Sequence, residues 1–199
     1  MRLGLLTVVI GLAAGIAMSR LAEAGRLDWR PPPRLQWLPM AATAGALAVA
    51  TRSLGDDAWV AATIVVTAAL VAVGLVNHAN PGSRLLTAGV LANGLVVVAN
   101  GGMPVAASAV TALGGTTQAL PASGRHHLLT DASALPWLAD TVAVGWLQVV
   151  VSPGDALLAA GGAVIVATAF MGVVHHERTR EAVAPVDQAD QPVDAPDGA

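Results

Sequence analysis

The chain has 199 residues, 55% of them hydrophobic and only 12% charged, with a mean hydropathy of +0.65. That composition excludes an ordinary soluble domain and points to helices in a lipid bilayer. The absence of cysteine removes disulfides, thiol nucleophiles and thiolate metal sites, and a formal net charge of −3 with no lysine leaves no basic patch of the kind that binds nucleic acid.

In chain order, Leu3 to Ser19 is an unbroken apolar run. At a rise of about 1.5 Å per residue it covers most of a hydrocarbon core roughly 30 Å thick, so a first span is expected at 3–19. Ala22-Glu23-Ala24 also fits a signal-peptide cleavage site, which makes removal of residues 1–24 the competing reading. The length of the run and the position of Arg20 favour a retained span. Gly11 and Gly15 lie one helical turn apart and would let a second helix approach closely. Arg20 to Arg34, with the consecutive prolines Pro31 to Pro33, reads as a connector at the membrane surface. Further spans are expected at 35–51, 59–76 and 83–99, separated by the loop Arg52 to Asp57 and the turn Asn77 to Gly82.

Beyond Asn100 the pattern changes. Val105 to Leu113 is too short to cross, Gly114 to Ser123 has the composition of a loop, and the apolar segment 135–151 is broken by Pro136, Asp140 and Gly145, as a re-entrant or interfacial piece would be. Asp155 to Val174 supplies a fifth span. Residues 175–199 carry six acidic residues against two arginines, leaving +1 for the rest of the chain, and read as a disordered acidic cytoplasmic tail. The expected fold class is therefore all-α, a polytopic bundle of five spans with an outer-face region at 100–154. If the connector is cytoplasmic, seven arginines flank spans on the inside and three on the outside, which puts the N-terminus outside and the C-terminus inside. The five tryptophans all fall at or beyond the ends of apolar runs, where amphipathic rings prefer to lie.

Nearly all the polar residues capable of chemistry lie between Asn100 and Asp155. Ser152-Pro153-Gly154-Asp155 has the spacing of a helix start: a serine N-cap, proline at the first helical position and an acid three residues after the cap. Asn100-Gly101-Gly102 reads as a helix C-terminus with left-handed glycine, halted before Pro104. The Asn100 amide beside bare glycine backbone is also a candidate receiver of an anionic or carbonyl group. His126 and His127 point in different directions on helix or strand, and their spacing to the carboxylates matches no compact zinc signature. The candidate polar site is thus Asn100, Gly101, Gly102, His126, His127, Asp140, Ser152 and Asp155, expected to gather on the outer face with no metal and no cofactor. No ionisable residue falls at mid-span, which argues against a proton-coupled pump. Asn93, the amide next to Gly94, is expected to hydrogen-bond across a helix interface.

Several of these residues resemble a family: Ser19-Arg20-Leu21-Ala22-Glu23, Asn93, Asn100-Gly101-Gly102-Met103-Pro104-Val105, a histidine at 126 or 127, Leu138-Ala139-Asp140 and Ser152-Pro153-Gly154-Asp155. Together they are similar to uncharacterised bacterial multi-spanning membrane proteins classed as a domain of unknown function, from the first span to about Met171. The resemblance implies an integral membrane protein and brings no activity with it. The leading expectation is a structural or interaction protein of the bacterial cytoplasmic membrane, whose partners are the lipid bilayer and another membrane protein or a second copy. The alternative is a lipid or small-molecule binding protein, a transporter, or a membrane enzyme using the outer-face polar site.

Overall fold

The structure, a computed structural model, describes residues 2–25, 27, 55–120 and 125–183. The apolar runs form long helices: α1 (Arg2–Glu23), α2 (Asp56–Val76), α3 (Pro81–Asn100) and α5 (Pro153–Val183). Three of these contain stretches long and apolar enough to cross a membrane, Ala58–Val76, Pro81–Asn100 and Pro153–His176. The predicted span at 35–51 and most of the connector before it lie outside the described residues.

Small residues decide how the helices pack. α3 and α5 run antiparallel with Gly82 against Gly161 and Gly89 against Gly154. On each helix the two glycines are seven residues apart, close to two turns, so they share one face. A Cβ at Gly82 would lie 2.5 Å from the Gly161 carbonyl oxygen, and one at Gly161 would lie 2.7 Å from the Leu86 nitrogen. The two backbones are therefore in direct contact. α1 runs parallel to α5, with Gly11 beside Ala163 and Val166, and Gly15 beside Ala167 and Phe170. The Gly11 and Gly15 spacing therefore serves the close approach it suggested. α2 runs antiparallel to α3, with Gly94 against Thr67 and Gly74 against Thr87. Between helices in lipid there is little hydrophobic drive, and such close approach gains dispersion contacts instead. Large apolar side chains meanwhile point outward, among them Ile64, Val65, Leu75, Leu95 and Val173.

Two helix ends differ from expectation. α1 continues past Ser19 to Glu23, where the Arg20 guanidinium donates to the Glu23 carboxylate at 3.3 Å. α5 continues past Val174 to Val183, so the first part of the expected disordered tail is helical. The physical reason is propensity: Glu177, Arg178, Arg180, Glu181 and Ala182 are good helix formers and extend a helix already nucleated. Residues 184–199 lie outside the described residues.

Between α3 and α5 sits a small cap, described at residues 101–120 and 125–152. Gly101, at φ 69°, turns the chain out of α3. Strand β1 (Met103–Val105) follows and pairs in parallel with β2 (His126–Leu128), Met103 opposite His126. On the other edge of β1 the Asp140 amide donates to the Pro104 carbonyl at 3.0 Å, and Ala106 donates to the Asp140 carbonyl at 2.8 Å. Pro104 is tolerated in this central position because the Arg125 and Val105 carbonyls are served by Met103 and Leu129. A short helix, α4 (Ala107–Ala112), leaves β1. Segment 135–151, expected to be a re-entrant or interfacial piece, forms a helical turn at Pro136–Leu138 followed by an antiparallel hairpin of β3 (Val142–Val144) and β4 (Val149–Val151). The β-branched valines favour strand, and a hairpin satisfies its own backbone where a single short segment cannot. The cap is seated on α3 through Val96, Val97, Met103 and Leu138, with Trp59, Ala92 and Leu135 around them.

Candidate functional site

The Ser152-to-Asp155 motif forms the reciprocal cap that its spacing suggests. The Asp155 amide donates to Ser152 Oγ at 3.0 Å, and the Ser152 amide donates to Asp155 Oδ2 at 3.2 Å. These bonds satisfy amides that the first turn of α5 would otherwise leave orphaned. Both side chains then reach across to α3, Ser152 Oγ donating to Asn93 Oδ1 at 2.9 Å and Asn93 Nδ2 donating to Asp155 Oδ1 at 2.7 Å. The result is a closed ring that caps a helix and staples it to its neighbour. Ser152 is 1% exposed, so the ring is sealed on the serine side. Gly154 belongs to the same device, because a Cβ there would collide with the Asn93 amide and come within 3.1 Å of the Gly89 carbonyl oxygen.

Asn93 is thus the central partner, and the interface hydrogen bond expected of it is present. Its place in the polar cluster was missed, although a lone amide in an apolar helix is itself a signal. Asn100 lies two turns further on, roughly 10 Å along the α3 axis. Its side chain has separate work: Nδ2 donates to the Val96 carbonyl at 2.7 Å and the Ala134 carbonyl at 3.0 Å, while Oδ1 accepts from the Ala134 amide at 2.8 Å. Asn100 therefore pins the loop before Leu135 to the end of α3. Its amide is committed to backbone and does not present a free receiver beside Gly101 and Gly102. Gly101 supplies the left-handed turn, and Gly102, just before β1, is buried.

Asp140 is different. It is 7% exposed, its backbone completes the edge of β1, and its Oδ1 is buried with no hydrogen-bond partner. Burial, reinforced by repulsion from the Asp155 carboxylate, raises its pKa to about 7. His126, on β2, keeps part of its ring in solvent. Its pKa is lowered by partial burial and then by His127 and Arg125, against an opposing pull from Asp155. His127 sits opposite Pro104 in the β1–β2 pairing. The Arg125 guanidinium lies 5.6 Å above the Trp59 ring, tying the start of β2 to the first turns of α2.

The structure accordingly brings Asp140 and His126 within electrostatic reach of Asp155 and joins Ser152 and Asp155 by hydrogen bonds, whereas Asn100 anchors a neighbouring loop. Among the described residues no group of three His, Asp or Glu side chains is arranged to hold a metal ion. What the cluster can do chemically is bind or release a proton at a buried carboxyl that feels a second carboxylate, Asp155.

No curated protein and no solved structure matches the chain. The family model of DUF5317, a family of unknown function, matches residues 35–167. The match covers α2, α3, the whole cap and the first half of α5, and leaves out α1. With about two thirds of its length matched, the chain belongs to the DUF5317 family of unknown function.

Proposed function

We propose that this is a five-span protein of the bacterial cytoplasmic membrane, N-terminus outside and C-terminus inside, acting as a structural or interaction protein through its folded outer cap. The observation that carries the reading is that Asn93, Asn100, Ser152 and Asp155, the residues best suited to hold a ligand, spend their hydrogen bonds inside the chain. Polar groups committed in this way organise a surface for a protein partner or a second copy, which the exposed Trp137 and Trp146 of the cap would extend. Helix direction supports the topology. α1, α2 and α5 run one way and α3 the other, so the chain must recross between Glu23 and Asp56, as the apolar run at 35–51 allows. The packing of Gly11 and Gly15 on α5 supports retention of α1 as a span over its removal as a signal.

A second reading, lipid or small-molecule binding, transport, or an enzyme with His126 as acid or base, is favoured by the approach of His126 and Asp140 to Asp155. Complementation of a deletion strain separates the two. Under the interaction reading, His126→Ala restores the phenotype as well as the parent does, and Asn93→Ala fails only as far as its level in the membrane falls. Loss of complementation by His126→Ala at full membrane level and unchanged melting temperature would replace the interaction reading with the site.

A further inference from the structure

We propose that Asp140 is a proton-binding site through which pH controls how tightly the cap, residues 101–152, is held on the helices. Geometry makes the case. Asp140 is not a surface acid, because its amide and carbonyl form the hydrogen bonds that complete the edge of β1 and its Oδ1 is sealed from solvent without a donor. An anionic carboxylate in that position has one oxygen, Oδ1, with neither water nor a protein donor, whereas the neutral acid leaves only a weak acceptor unmet there. The proton is the ligand that matches: it needs no cavity, and it is the one species that removes the buried charge. On release it passes to water, leaving a carboxylate, and nothing is oxidised or reduced.

The charged groups around Asp140 set the direction of the response. From α5 it faces Asp155, whose Oδ1 and Oδ2 are occupied by Asn93 and the Ser152 amide. β2, which lies across β1 from the Asp140 edge, carries His126 and His127, preceded by Arg125. β1, α4 and the stretch of α3 from Ala92 to Asn100 contribute no titratable side chain. His126 offers little compensation, since its own environment disfavours its cation. Ionisation of Asp140 therefore adds a second negative charge beside Asp155, in the layer where Val105, Leu138 and Ala139 are buried. Strain from that charge falls on the 139–140 edge of β1 and on the Met103 and Leu138 contacts that seat the cap. The rise of the Asp140 pKa to about 7 supports this and puts the transition near neutrality. The group is protonated more readily folded than unfolded, so its stabilising effect is greatest at low pH and is lost as pH rises towards 7.

The full chain in detergent, free of native cysteine, allows a direct test. Ala109→Cys places a thiol at a buried cap position, and Gly145→Cys places one in open space at the hairpin turn. The ratio of their rates with a thiol reagent, followed from about pH 5 to about pH 9, reports cap opening. The ratio is expected to rise severalfold in the parent background with a midpoint near 7, and to stay level in Asp140→Asn, which mimics the protonated acid. A level ratio in the parent, or the same rise in Asp140→Asn, overturns the proposal. Should Asp140→Asn fail to fold, infrared titration of the parent decides: a protonated carboxyl band that persists to near neutrality and then disappears is expected, and its absence overturns the idea. In detergent both faces are open to solvent, so this outcome is independent of the outer-face assignment, which only names the compartment whose pH would be read.

Discussion

The helical body and the cap are held together by opposite means. In the body, Gly82, Gly89, Gly154 and Gly161 bring α3 and α5 into backbone contact, and specificity comes from shape. In the cap and at its junction, Asn93, Asn100, Ser152 and Asp155 form directional bonds between positions 34 to 62 residues apart in sequence. The difference teaches where each kind of force works. Lipid tails are as apolar as leucine, so helices are distinguished by how closely they fit, while short strands and turns outside the spans have too little area and depend on polar staples.

The largest effect should come from removing the fit. Gly161→Val would drive a side chain into the Leu86 nitrogen and the Gly82 carbonyl, neither of which can swing aside. A cost of about 3 kcal/mol or more is expected, read as a steep loss of folded yield and melting temperature in detergent. Unchanged melting would mean that the body does not rest on this contact.

A smaller loss is expected at the staple. Asn93→Ala leaves Asp155 Oδ1 and the Ser152 hydroxyl without their interhelical partner, at about 2 kcal/mol. Combined with Asp155→Asn it should cost less than the two single changes added together, because both act on one ring. Strict additivity would show that the ring does not act as a unit.

The third test changes stability least and places the two regions relative to the bilayer. Gly145→Cys in the cap and Ala24→Cys after α1 are both exposed positions. An impermeant thiol reagent applied to intact cells should label the first and spare the second. The reverse pattern would invert the topology and move the cap to the inner face.

How much of this was legible varied with the range of the interactions. The apolar runs identified four of the helices now seen, because a helix satisfies its own backbone and needs only a local stretch of suitable residues. The cap of α5 was legible for the same reason, as its four residues interact among themselves. The strands at 103–105, 126–128, 142–144 and 149–151 were not, because each is three residues long and is stabilised by a partner the sequence does not name. The helical extension to Val183 was obscured by composition, since polar helix formers resemble a disordered tail once the apolar pattern stops.

The candidate site divides along the same line. Residue type and spacing alone determined that Ser152 and Asp155 cap a helix, that Gly101 ends one, and that Gly11 and Gly15 invite a neighbour. Only the tertiary structure decided that Asn93 completes the Ser152–Asp155 ring, that Asn100 is used up on the Ala134 backbone, and that Asp140 lies buried with an oxygen unmet. The reason is that capping and turn chemistry act within a few residues of chain. The protonation and hydrogen bonding of a buried carboxyl depend on desolvation and on charges that folding alone brings near.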